Sequence, residues 1–418
     1  MSAPCLTNNI KISWNAWNGD DSLELSFPEQ WKVTVNTITD SIKAKNNTIN
    51  EAFLNPFDTD LLRNLAKDRK KIAVAVEDIT RPTILEPVLK QISMELKKAG
   101  VKNEQVKFIV CCGAHAPMNR SELQKKIGKE ILHDYVVYNH NAYDNLSETG
   151  IILGKTPVKL NSHFFEADCK ILVGSIIPHS FAGFSSGGKL ILPGLSDIAT
   201  LERTHKSVMM GFKGGINDVE TNKFRREIED VAKRTGVDFF CGVVPNSSRN
   251  IAGVFTGDVV KAHRQGVAFA RKIYETKVDK PADVVVLNAY PKDTELLQAD
   301  AAMTPLKTSK NSIVKADGII IIISKCSNGY GYHSLFGPGM RLSRKPAKKG
   351  MLRGRDFILF SPQVNMEEFQ SLYWDGYRFI DNWQQVISIL KKRYPEKCHV
   401  GIFPCAPLQL VEEIDADS

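Results

Sequence analysis

Short runs of apolar and β-branched residues alternate with longer amphipathic segments along most of this chain. The apolar runs predict strands, which we place at residues 71–76, 106–110, 169–177, 283–287 and 318–324. From Leu85 to Leu96 apolar residues recur at helical spacing, and Gly100 predicts where that helix ends. Residues 121–127 predict a second helix, with Ser121 as its N-cap. Strand, loop, helix and strand in succession indicate an α/β fold with mainly parallel sheets.

The chain is expected to form two domains. A length of 418 residues would by itself suggest about three. Residues 274–281 are polar and end in proline, however, and a new strand–helix unit follows them. We therefore predict an N-terminal domain over residues 1–274, completed by residues 400–418, and a C-terminal α/β domain over residues 275–399.

Polar clusters lie where three of the predicted strands end. They are Asp78-Ile79-Thr80-Arg81, Gly113-Ala114-His115 and Pro178-His179. Ligands of open α/β sheets bind outside the carboxyl ends of the strands, so these clusters predict a binding site. Three histidines, His115, His179 and His205, flank glycine-rich or strand-end loops, and Arg81 does the same. A pair of imidazoles and one guanidinium suit proton transfer on a substrate that carries a carboxylate.

A glycine loop occupies residues 183–189 and ends in Lys189. Its backbone N–H groups can approach an anion closely. The loop fits the first seven positions of a nucleotide-binding P-loop, but the eighth is Leu190, where that motif needs a hydroxyl for Mg²⁺. Pro193-Gly194 would also interrupt the helix that should follow. The sequence therefore favours an anion-binding loop over a nucleoside triphosphatase site.

Charge and composition narrow the possible partners. Lys and Arg number 55 against 47 Asp and Glu, a net charge of +8 that suits an anionic substrate or cofactor. Duplex nucleic acid calls for a concentrated basic face, and we expect no nucleic-acid partner. The short basic run at residues 341–355 predicts either a solvated surface loop or a basic lid over an anionic ligand.

Other features predict a cytoplasmic, soluble protein. The N-terminus lacks a secretory pattern, and the longest apolar run, residues 318–323, is too short to cross a bilayer. The eight cysteines form no C-x-x-C pair, which indicates buried thiols in a reducing compartment. The sequence contains neither an H-x-x-x-H nor an H-E-x-x-H motif, so a self-contained zinc site is not predicted.

Four blocks of residues, in this order, resemble the LarA-like, nickel-pincer-nucleotide-dependent lactate racemases and related 2-hydroxyacid racemases. The blocks are Asp78 to Pro82; Gly113-Ala114-His115 with Met118 and Glu122; Pro178 to Gly194 with His205; and Asn288 to Pro291 with Gln298. The third is the most specific, because ten residues separate His179 from Lys189 and sixteen separate Lys189 from His205, as in the family.

The resemblance implies two α/β domains with the cofactor in the cleft between them, the N-terminal domain being the one that binds it. The cofactor would be a nickel pincer nucleotide attached covalently through Lys189, with His205 as the protein ligand of nickel. Cofactor-biosynthesis proteins would be partners. The residues expected to hold the remainder of the nucleotide are Asp78, Thr80, Arg81, Gly187 and Gly188.

The resemblance also implies a mechanism. His115 and His179 would be the catalytic acid/base pair, one on each face of a 2-hydroxyacid substrate. Hydride would leave Cα for the cofactor and return to the opposite face, which inverts the centre. Arg81 would clamp the substrate carboxylate, and Gln298 would also bind the substrate.

Three departures from the family concern the substrate. A family lysine is replaced by Ala301, a common arginine by Ala116, and a family tryptophan has no clear counterpart, Trp374 and Trp383 being the nearest candidates. These changes predict a substrate other than lactate, such as a larger polyhydroxy or aromatic 2-hydroxyacid. A lysine of residues 341–355 is a candidate to replace the missing charge.

Two other functions stay open on the sequence. A nicotinamide-dependent 2-hydroxyacid oxidoreductase would suit the alternating strands and helices, although no G-x-G-x-x-G follows the first strand. A family member that binds a ligand without turning it over would suit the altered substrate residues. The oligomeric state is not predicted.

Overall fold

The computed structural model describes residues 8–41, 43–44, 46–209 and 214–411. Within them the strands are β1 (Asn8–Trp14), β2 (Asp21–Phe27), β3 (Lys32–Val35), β4 (Ile72–Glu77), β5 (Val106–Cys111), β6 (Val136–Asn139), β7 (Leu146–Leu153), β8 (Thr156–Asn161), β9 (Cys169–Ser175), β10 (Pro178–His179), β11 (Gly183–Phe184), β12 (Phe239–Pro245), β13 (Ile251–Gly257), β14 (Ala282–Asn288), β15 (Val314–Ile323), β16 (Asp356–Phe360), β17 (Arg378–Ile380) and β18 (His399–Phe403).

The α-helices of the same ranges are α1 (Asn46–Leu54), α2 (Leu62–Leu65), α3 (Glu86–Lys98), α4 (Arg120–Ile127), α5 (Lys129–Asp134), α6 (Ser162–Phe165), α7 (Ile198–Met209), α8 (Lys223–Thr235), α9 (Lys261–Tyr274), α10 (Leu296–Ala299), α11 (Thr304–Thr308), α12 (Met366–Leu372) and α13 (Trp383–Arg393). The described residues form two compact units. The central unit takes those of Ser41–Ile273 and His333–Leu335, and the terminal unit takes the others.

The central unit is built on a six-stranded sheet in the order β13-β12-β9-β4-β5-β6. The pairs from β12 to β6 are parallel, and β13 runs antiparallel to β12. Every residue of β4 is buried, as expected for a parallel strand covered on both faces. Alternate β4 residues, Ile72, Val74 and Val76, join a core that includes Val88 and Ile92 of α3.

The five predicted strands and the helix after β4 are confirmed, with boundaries that differ by a few residues. The N-cap prediction at Ser121 is wrong. Asn119 caps α4 instead, because its side chain accepts from the Glu122 N–H at 3.0 Å while the Glu122 carboxylate accepts from the Asn119 N–H at 2.8 Å. This reciprocal capping box begins the helix one residue earlier than predicted.

The terminal unit holds a second six-stranded sheet, ordered β17-β16-β15-β14-β18-β3 and parallel throughout. Residues on one face, such as Val285 and Ile320, join a core with α10 and α12. Residues on the other face, such as Val286, pack with the antiparallel β1–β2 hairpin and α13. Burial on both faces explains the nearly unbroken apolar run in β15.

The predicted domain boundaries are wrong at both ends of the chain. β18 lies between β14 and β3 and pairs in parallel with each of them. These backbone hydrogen bonds place residues 8–40 and 400–411 in the terminal unit, whereas both were expected in the N-terminal domain. Residues 412–418 lie outside the described residues.

Among the described residues, no helix is long and apolar enough to cross a membrane. In the same part of the chain, seven cysteines are buried without disulfides. Cys5 lies outside the described residues.

A buried ion pair fixes the carboxyl end of β4. The Lys126 ammonium lies 2.7 Å from a Glu77 carboxylate oxygen, and the two residues are 0% and 3% exposed. The ammonium also donates to the Arg81 carbonyl at 2.8 Å. The Ser175 backbone N–H at the end of β9 donates to the other Glu77 oxygen at 2.5 Å. One carboxylate thus joins β4, β9 and α4.

Lys126→Met should lower the free energy of unfolding by about 3–5 kcal/mol, because the Glu77 carboxylate would remain buried without its cation. Chemical denaturation would measure the change. Lys125→Met is the matched control, because Lys125 is exposed on the same helix, and should change the value by less than about 0.5 kcal/mol. Equal effects of the two substitutions would show that the buried pair does not stabilise the fold.

Candidate active site

Three adjacent strands, β9, β4 and β5, carry the predicted polar clusters at their carboxyl ends. Glu77, the last residue of β4, pairs with Cys111, the last of β5. The chain therefore leaves both strands at the same level of the sheet. The three polar clusters therefore lie at one edge of the sheet.

Asp78 and His115 form the tightest contact at that edge. The His115 Nδ1 atom lies 2.6 Å from a carboxylate oxygen of Asp78. The other oxygen of Asp78 accepts from the Thr80 hydroxyl at 2.5 Å and from its backbone N–H at 3.0 Å. Burial opposes charge on Asp78, but His115, Arg81 and these hydrogen bonds together hold its pKa well below the usual range. The ionised carboxylate accepts the Nδ1 proton of His115, so Nε2 carries the lone pair.

Arg81 lies beside this pair. Its guanidinium Nη1 donates to the Thr80 hydroxyl oxygen at 3.1 Å, and the residue is 8% exposed. Thr80 therefore connects the Asp78 carboxylate to the Arg81 guanidinium. A buried guanidinium presents a fixed fork of donors, which suits a carboxylate or a phosphate.

His179 is held by a short β-turn of its own. β10 pairs antiparallel with β11, His179 opposite Gly183. The backbone N–H groups of Phe181 and Ala182 each approach the His179 Nδ1 atom at 3.3 Å. Nδ1 is therefore the acceptor, and the neutral ring carries its hydrogen on Nε2.

The glycine loop continues into a single 3₁₀ turn, Gly187–Leu190, rather than a helix. Lys189 lies in this turn with its side chain partly buried. Burial lowers the pKa of Lys189 to about 7, and the positive charge of Arg81 contributes in the same direction, against the attraction of Asp78. An amine of this pKa is half neutral near neutral pH, so it is a competent nucleophile.

Buried side chains from α8 and α9 hold the loop from behind. The fully buried guanidinium of Arg225 donates to the carbonyls of Ala182, Phe184 and Ser186. The His263 Nε2 atom lies 2.9 Å from the Ser185 carbonyl. Four carbonyls of residues 182–186 therefore accept hydrogen bonds from helix side chains, which makes this segment rigid.

Packing explains why residues 187 and 188 are glycines. A Cβ on Gly188 would lie 2.8 Å from the Ile228 carbonyl of α8, and one on Gly187 would lie 3.1 Å from the His263 ring at a φ of +61°. The preceding Ser186 also has a positive φ, +65°, which is uncommon outside glycine. Its buried hydroxyl lacks a hydrogen-bond partner within the described structure.

His205 projects from α7. Its Nδ1 atom lies 2.8 Å from the Leu201 carbonyl one turn earlier. A carbonyl only accepts, so Nδ1 carries the hydrogen and Nε2 the lone pair. Burial lowers the pKa of His205 to about 4, and the charge of Lys189 also lowers it, while the Leu201 contact raises it. A neutral imidazole with a defined lone pair is the form that binds a metal ion.

His333 completes the cluster, although the sequence assigned it no role. Its ring centroid lies 5.5 Å from that of His115 and 5.3 Å from that of His205. Burial lowers the pKa of His333 to about 2, and the two neighbouring histidines and Lys189 lower it too. One sequence signal was available, because His333 follows β15 among Gly329, Gly331, Gly337 and Gly339, as His115 follows β5 and Gly113.

These features can be set beside known proteins. A model of the family described as the lactate racemase N-terminal domain matches residues 18–215. The lactate racemase of Thermoanaerobacterium thermosaccharolyticum is 30% identical over 319 residues, which cover 74% of this chain and 73% of that protein. This chain belongs to the lactate racemase family. The lactate racemase of Lactiplantibacillus plantarum is 27% identical over 301 residues, 69% of each chain.

Two solved structures share the fold of this lactate racemase family member. The lactate racemase apoprotein of T. thermosaccharolyticum matches with a TM-score of 0.77 at 23% identity, over 96% of this chain and 99% of that one. A Thermotoga maritima protein matches with a TM-score of 0.67 at 18% identity, over 89% and 100%. The predicted α/β class with mainly parallel sheets is confirmed.

Two of the positions that concern the substrate, Gln298 and Ala301, lie in the terminal unit, whereas Ala116 lies in the central unit. Gln298 is on α10, and Ala301 is in the 3₁₀ turn Asp300–Met303 that follows. The Lys349 ammonium lies 2.5 Å from a carboxylate oxygen of Asp300, the residue before Ala301. The Tyr373 hydroxyl donates to the other oxygen at 2.8 Å. One lysine of the basic segment is therefore held next to the altered position.

The two candidate tryptophans differ in their surroundings. Trp383 is 9% exposed within the core of the terminal unit, and its indole N–H donates to the Ser26 carbonyl at 3.3 Å. This residue is structural. Trp374 is partly exposed, and the Lys348 ammonium lies 4.3 Å from its ring centroid. Trp374 is thus the better candidate for a ligand contact.

The donor set of the central unit fits the cofactor expected for this family. No group of three or more His, Cys, Asp or Glu side chains within the described ranges is arranged to hold a metal ion. His205 nevertheless offers one imidazole lone pair, and Lys189 offers an amine that is half neutral near pH 7. The buried Ser186 hydroxyl, which lacks a hydrogen-bond partner within the described residues, lies just before Lys189 in the sequence. Such a site suits a metal that arrives with most of its ligands attached.

Lys189 should be acylated at neutral pH much faster than ordinary lysines, because only the neutral amine reacts. Its labelling by acetic anhydride, followed by peptide mass spectrometry, should rise with a midpoint near pH 7. Exposed lysines have a pKa of about 10.4. Arg81→Gln should raise the midpoint, because the Arg81 charge helps to lower the pKa of Lys189. A midpoint above pH 9 in the unmodified protein would contradict this assignment.

Proposed function

We propose that this protein is a racemase or epimerase of a 2-hydroxyacid, and that it uses a nickel pincer nucleotide tethered to Lys189. One observation carries the proposal. His115, paired with Asp78, and His205, with its lone pair on Nε2, each lie within 5.5 Å of one imidazole, that of His333, measured between ring centroids. A proton acceptor and a metal ligand are thus close together, and membership of the lactate racemase family supports the same reading.

The central unit supplies the residues that would hold the cofactor. Lys189 would attach it covalently, and the Nε2 atom of His205 would bind nickel, a metal that accepts imidazole together with sulfur ligands. Its phosphate and ring would be held by the turn Asp78–Arg81 and the loop at Gly187 and Gly188. When bound, the nucleotide would supply a hydride acceptor for the Cα hydrogen.

His115 is the stronger candidate for the initial base. Its Nδ1–H donates to the ionised Asp78 carboxylate, which orients the ring and stabilises positive charge on it. Nε2 would take the proton of the substrate 2-hydroxyl. The Thr80 hydroxyl holds the second Asp78 oxygen, so the carboxylate does not rotate away.

His179 would serve the opposite face of the substrate. In the structure its lone pair is on Nδ1, toward two backbone N–H groups at 3.3 Å. To accept a proton on Nε2, the ring must first move its own hydrogen to Nδ1. That change gives up two long and therefore weak contacts. The two histidines thus begin from complementary states, one poised to accept a proton and the other to donate a hydrogen bond.

Positive charge at the strand ends would bind the substrate carboxylate. The charge of Arg81 lowers the pKa of Lys189, so the two cations lie within electrostatic reach of each other. Attachment of the cofactor would remove the charge of Lys189, and the Arg81 guanidinium would then attract the anion. We assign the carboxylate clamp to Arg81 and a further substrate contact to Gln298.

We also propose that the substrate differs from lactate. Ala301 lacks the charge that the family has at this position, whereas Lys349 and Lys307 both act on the pKa of Asp300 and lower it, against the effect of burial. Two lysines beside one aspartate leave a positive charge next to Ala301. This arrangement suits a 2-hydroxyacid with additional oxygen atoms, such as a polyhydroxy acid.

The function is tested on protein produced together with the cofactor-making enzymes. We expect an added mass on Lys189, bound nickel, and loss of optical activity from at least one enantiopure acid in a panel of three-carbon, dicarboxylic, aromatic and sugar acids. An added mass without turnover would indicate a binding protein. Absence of both the mass and nickel would contradict the proposal.

Substitutions should separate the proposed roles. Lys189→Ala should abolish the added mass, because no other amine replaces it in the loop. His115→Ala and His179→Ala should keep the mass and nickel but stop turnover. His133→Ala is the control, because this side chain is 88% exposed, and it should behave as the unmodified protein. If either catalytic histidine variant lost nickel, our division of roles would be wrong.

Lys349→Met should raise the KM for the accepted acid about tenfold, the effect of losing one charge-assisted hydrogen bond, with little change in kcat. Steady-state kinetics would measure both. Lys345→Met is the matched control, because this lysine of the same basic segment is exposed. An unchanged KM in Lys349→Met would remove this residue from substrate recognition.

A further inference from the structure

We propose that His333 is a further substrate-binding residue of this site, and that its Nε2–H donates a hydrogen bond to an oxygen of the bound 2-hydroxyacid. The identity of the ligand rests on the proposed function. The placement and tautomer of His333 rest on the structure of the central unit alone.

The backbone around His333 is fixed against the turn that carries His115. His333–Leu335 belongs to the central unit, although the residues on both sides belong to the terminal unit. His115 and His333 form an antiparallel bridge, and the Ser334 N–H donates to the Ala114 carbonyl at 2.8 Å. The Leu335 side chain is fully buried. The backbone bridge and the buried Leu335 side chain together hold the His333 imidazole in a defined place.

The His333 ring lies close to both the residue assigned to proton transfer and the residue assigned to nickel. Its plane is inclined by 69° to that of His115 and by 76° to that of His205, at centroid distances of 5.5 and 5.3 Å. A ligand that contacts both His115 and His205 therefore passes next to His333. The His333 ring is close enough to His115 and His205 to contact the same ligand.

A backbone contact determines which nitrogen of His333 carries the hydrogen. The Leu335 N–H donates to the His333 Nδ1 atom at 3.2 Å. Nδ1 is therefore the acceptor, and Nε2 is a donor in the neutral ring. His115 and His205 have the reverse arrangement, with hydrogen on Nδ1. The cluster thus contains two lone pairs and one donor, which complements a ligand with both a hydroxyl and an oxygen acceptor.

The neighbouring charges select the ligand class. Lys189 is within electrostatic reach of His333, and Arg81 is within reach of Lys189. The tether would neutralise Lys189 but leave the Arg81 guanidinium charged. A hydrogen-bond donor in such surroundings favours an oxygen that carries negative charge, such as a carboxylate or the developing oxyanion of a 2-hydroxyacid. A hydrophobic residue of the same volume would supply the packing but not this hydrogen bond.

The test compares two replacements of different chemistry in the cofactor-loaded protein. His333→Phe keeps a ring and removes the donor, whereas His333→Gln places an amide N–H near the position of Nε2. We expect His333→Phe to lower kcat/KM by about 10²-fold, the usual effect of losing one such donor. His333→Gln should recover most of that loss. Nickel content and the mass on Lys189 should be unchanged in both.

Two results of this comparison would overturn the proposal. Equal activity of His333→Phe and the unmodified protein would show a packing role only. Loss of nickel in both variants would make His333 part of the metal site instead. His133→Ala serves again as the control for replacing a histidine on the surface.

A second measurement does not depend on turnover. Long-range ¹H–¹⁵N correlation spectra of the cofactor-free protein report which ring nitrogen of each histidine carries hydrogen, and the His333→Gln spectrum identifies the His333 signals. We expect hydrogen on Nε2. Hydrogen on Nδ1 would overturn the proposal even if the protein proves to be a racemase. Hydrogen on Nε2 would support the assignment of the donor even if it proves not to be one.

Discussion

The interior of the central unit contains an ion pair, Lys126 with Glu77, on whose geometry the candidate site depends. Glu77 ends β4 and directly precedes Asp78, so the position of its carboxylate sets where the Asp78–Arg81 turn begins. The Lys126 ammonium also holds the Arg81 carbonyl, at the far end of that turn. Burying both charges carries a large desolvation cost. We infer that the pair is retained because it places this turn, since an apolar pair of the same volume would not fix the backbone at both ends.

Hydrogen-bond partners, more than the identity of the side chains, differentiate the histidines of the site. A carboxylate at His115 and a carbonyl at His205 place hydrogen on Nδ1, whereas backbone N–H groups at His179 and His333 place it on Nε2. Each partner belongs to a rigid strand end, helix or turn. The protein thereby obtains two acceptors and two donors from one residue type. Such preorganisation requires no rearrangement when a ligand with alternating donors and acceptors enters.

Sequence patterns were sufficient for five inner strands of the two sheets, β4, β5, β9, β14 and β15, and for the strand-end clusters, because buried parallel strands need unbroken apolar runs. They were insufficient where distant segments meet. β3 joins the sheet of the terminal unit through pairing with β18, a contact between chain ends that no local pattern specifies. His333 is missed for the same reason, since its partner His115 is over two hundred positions away. The N-cap prediction at Ser121 was wrong although it concerned a local feature, because Asn119 and Glu122 form a capping box at the start of the helix.

The residues proposed to hold the cofactor and those near Ala301 differ in how freely they can be substituted. A cofactor tethered to Lys189 and bound by His205 would fix both positions, and the loop that ends in Lys189 packs so tightly on α8 that Gly188 has no room for a Cβ. Substitution there would disturb the backbone. The surroundings of Ala301 are different, because Asp300 and Lys349 meet through flexible, partly exposed side chains. A charged side chain can be lost at one such position and gained at another without altering the fold. Substitutions there can therefore change the substrate preference while the cofactor site is preserved.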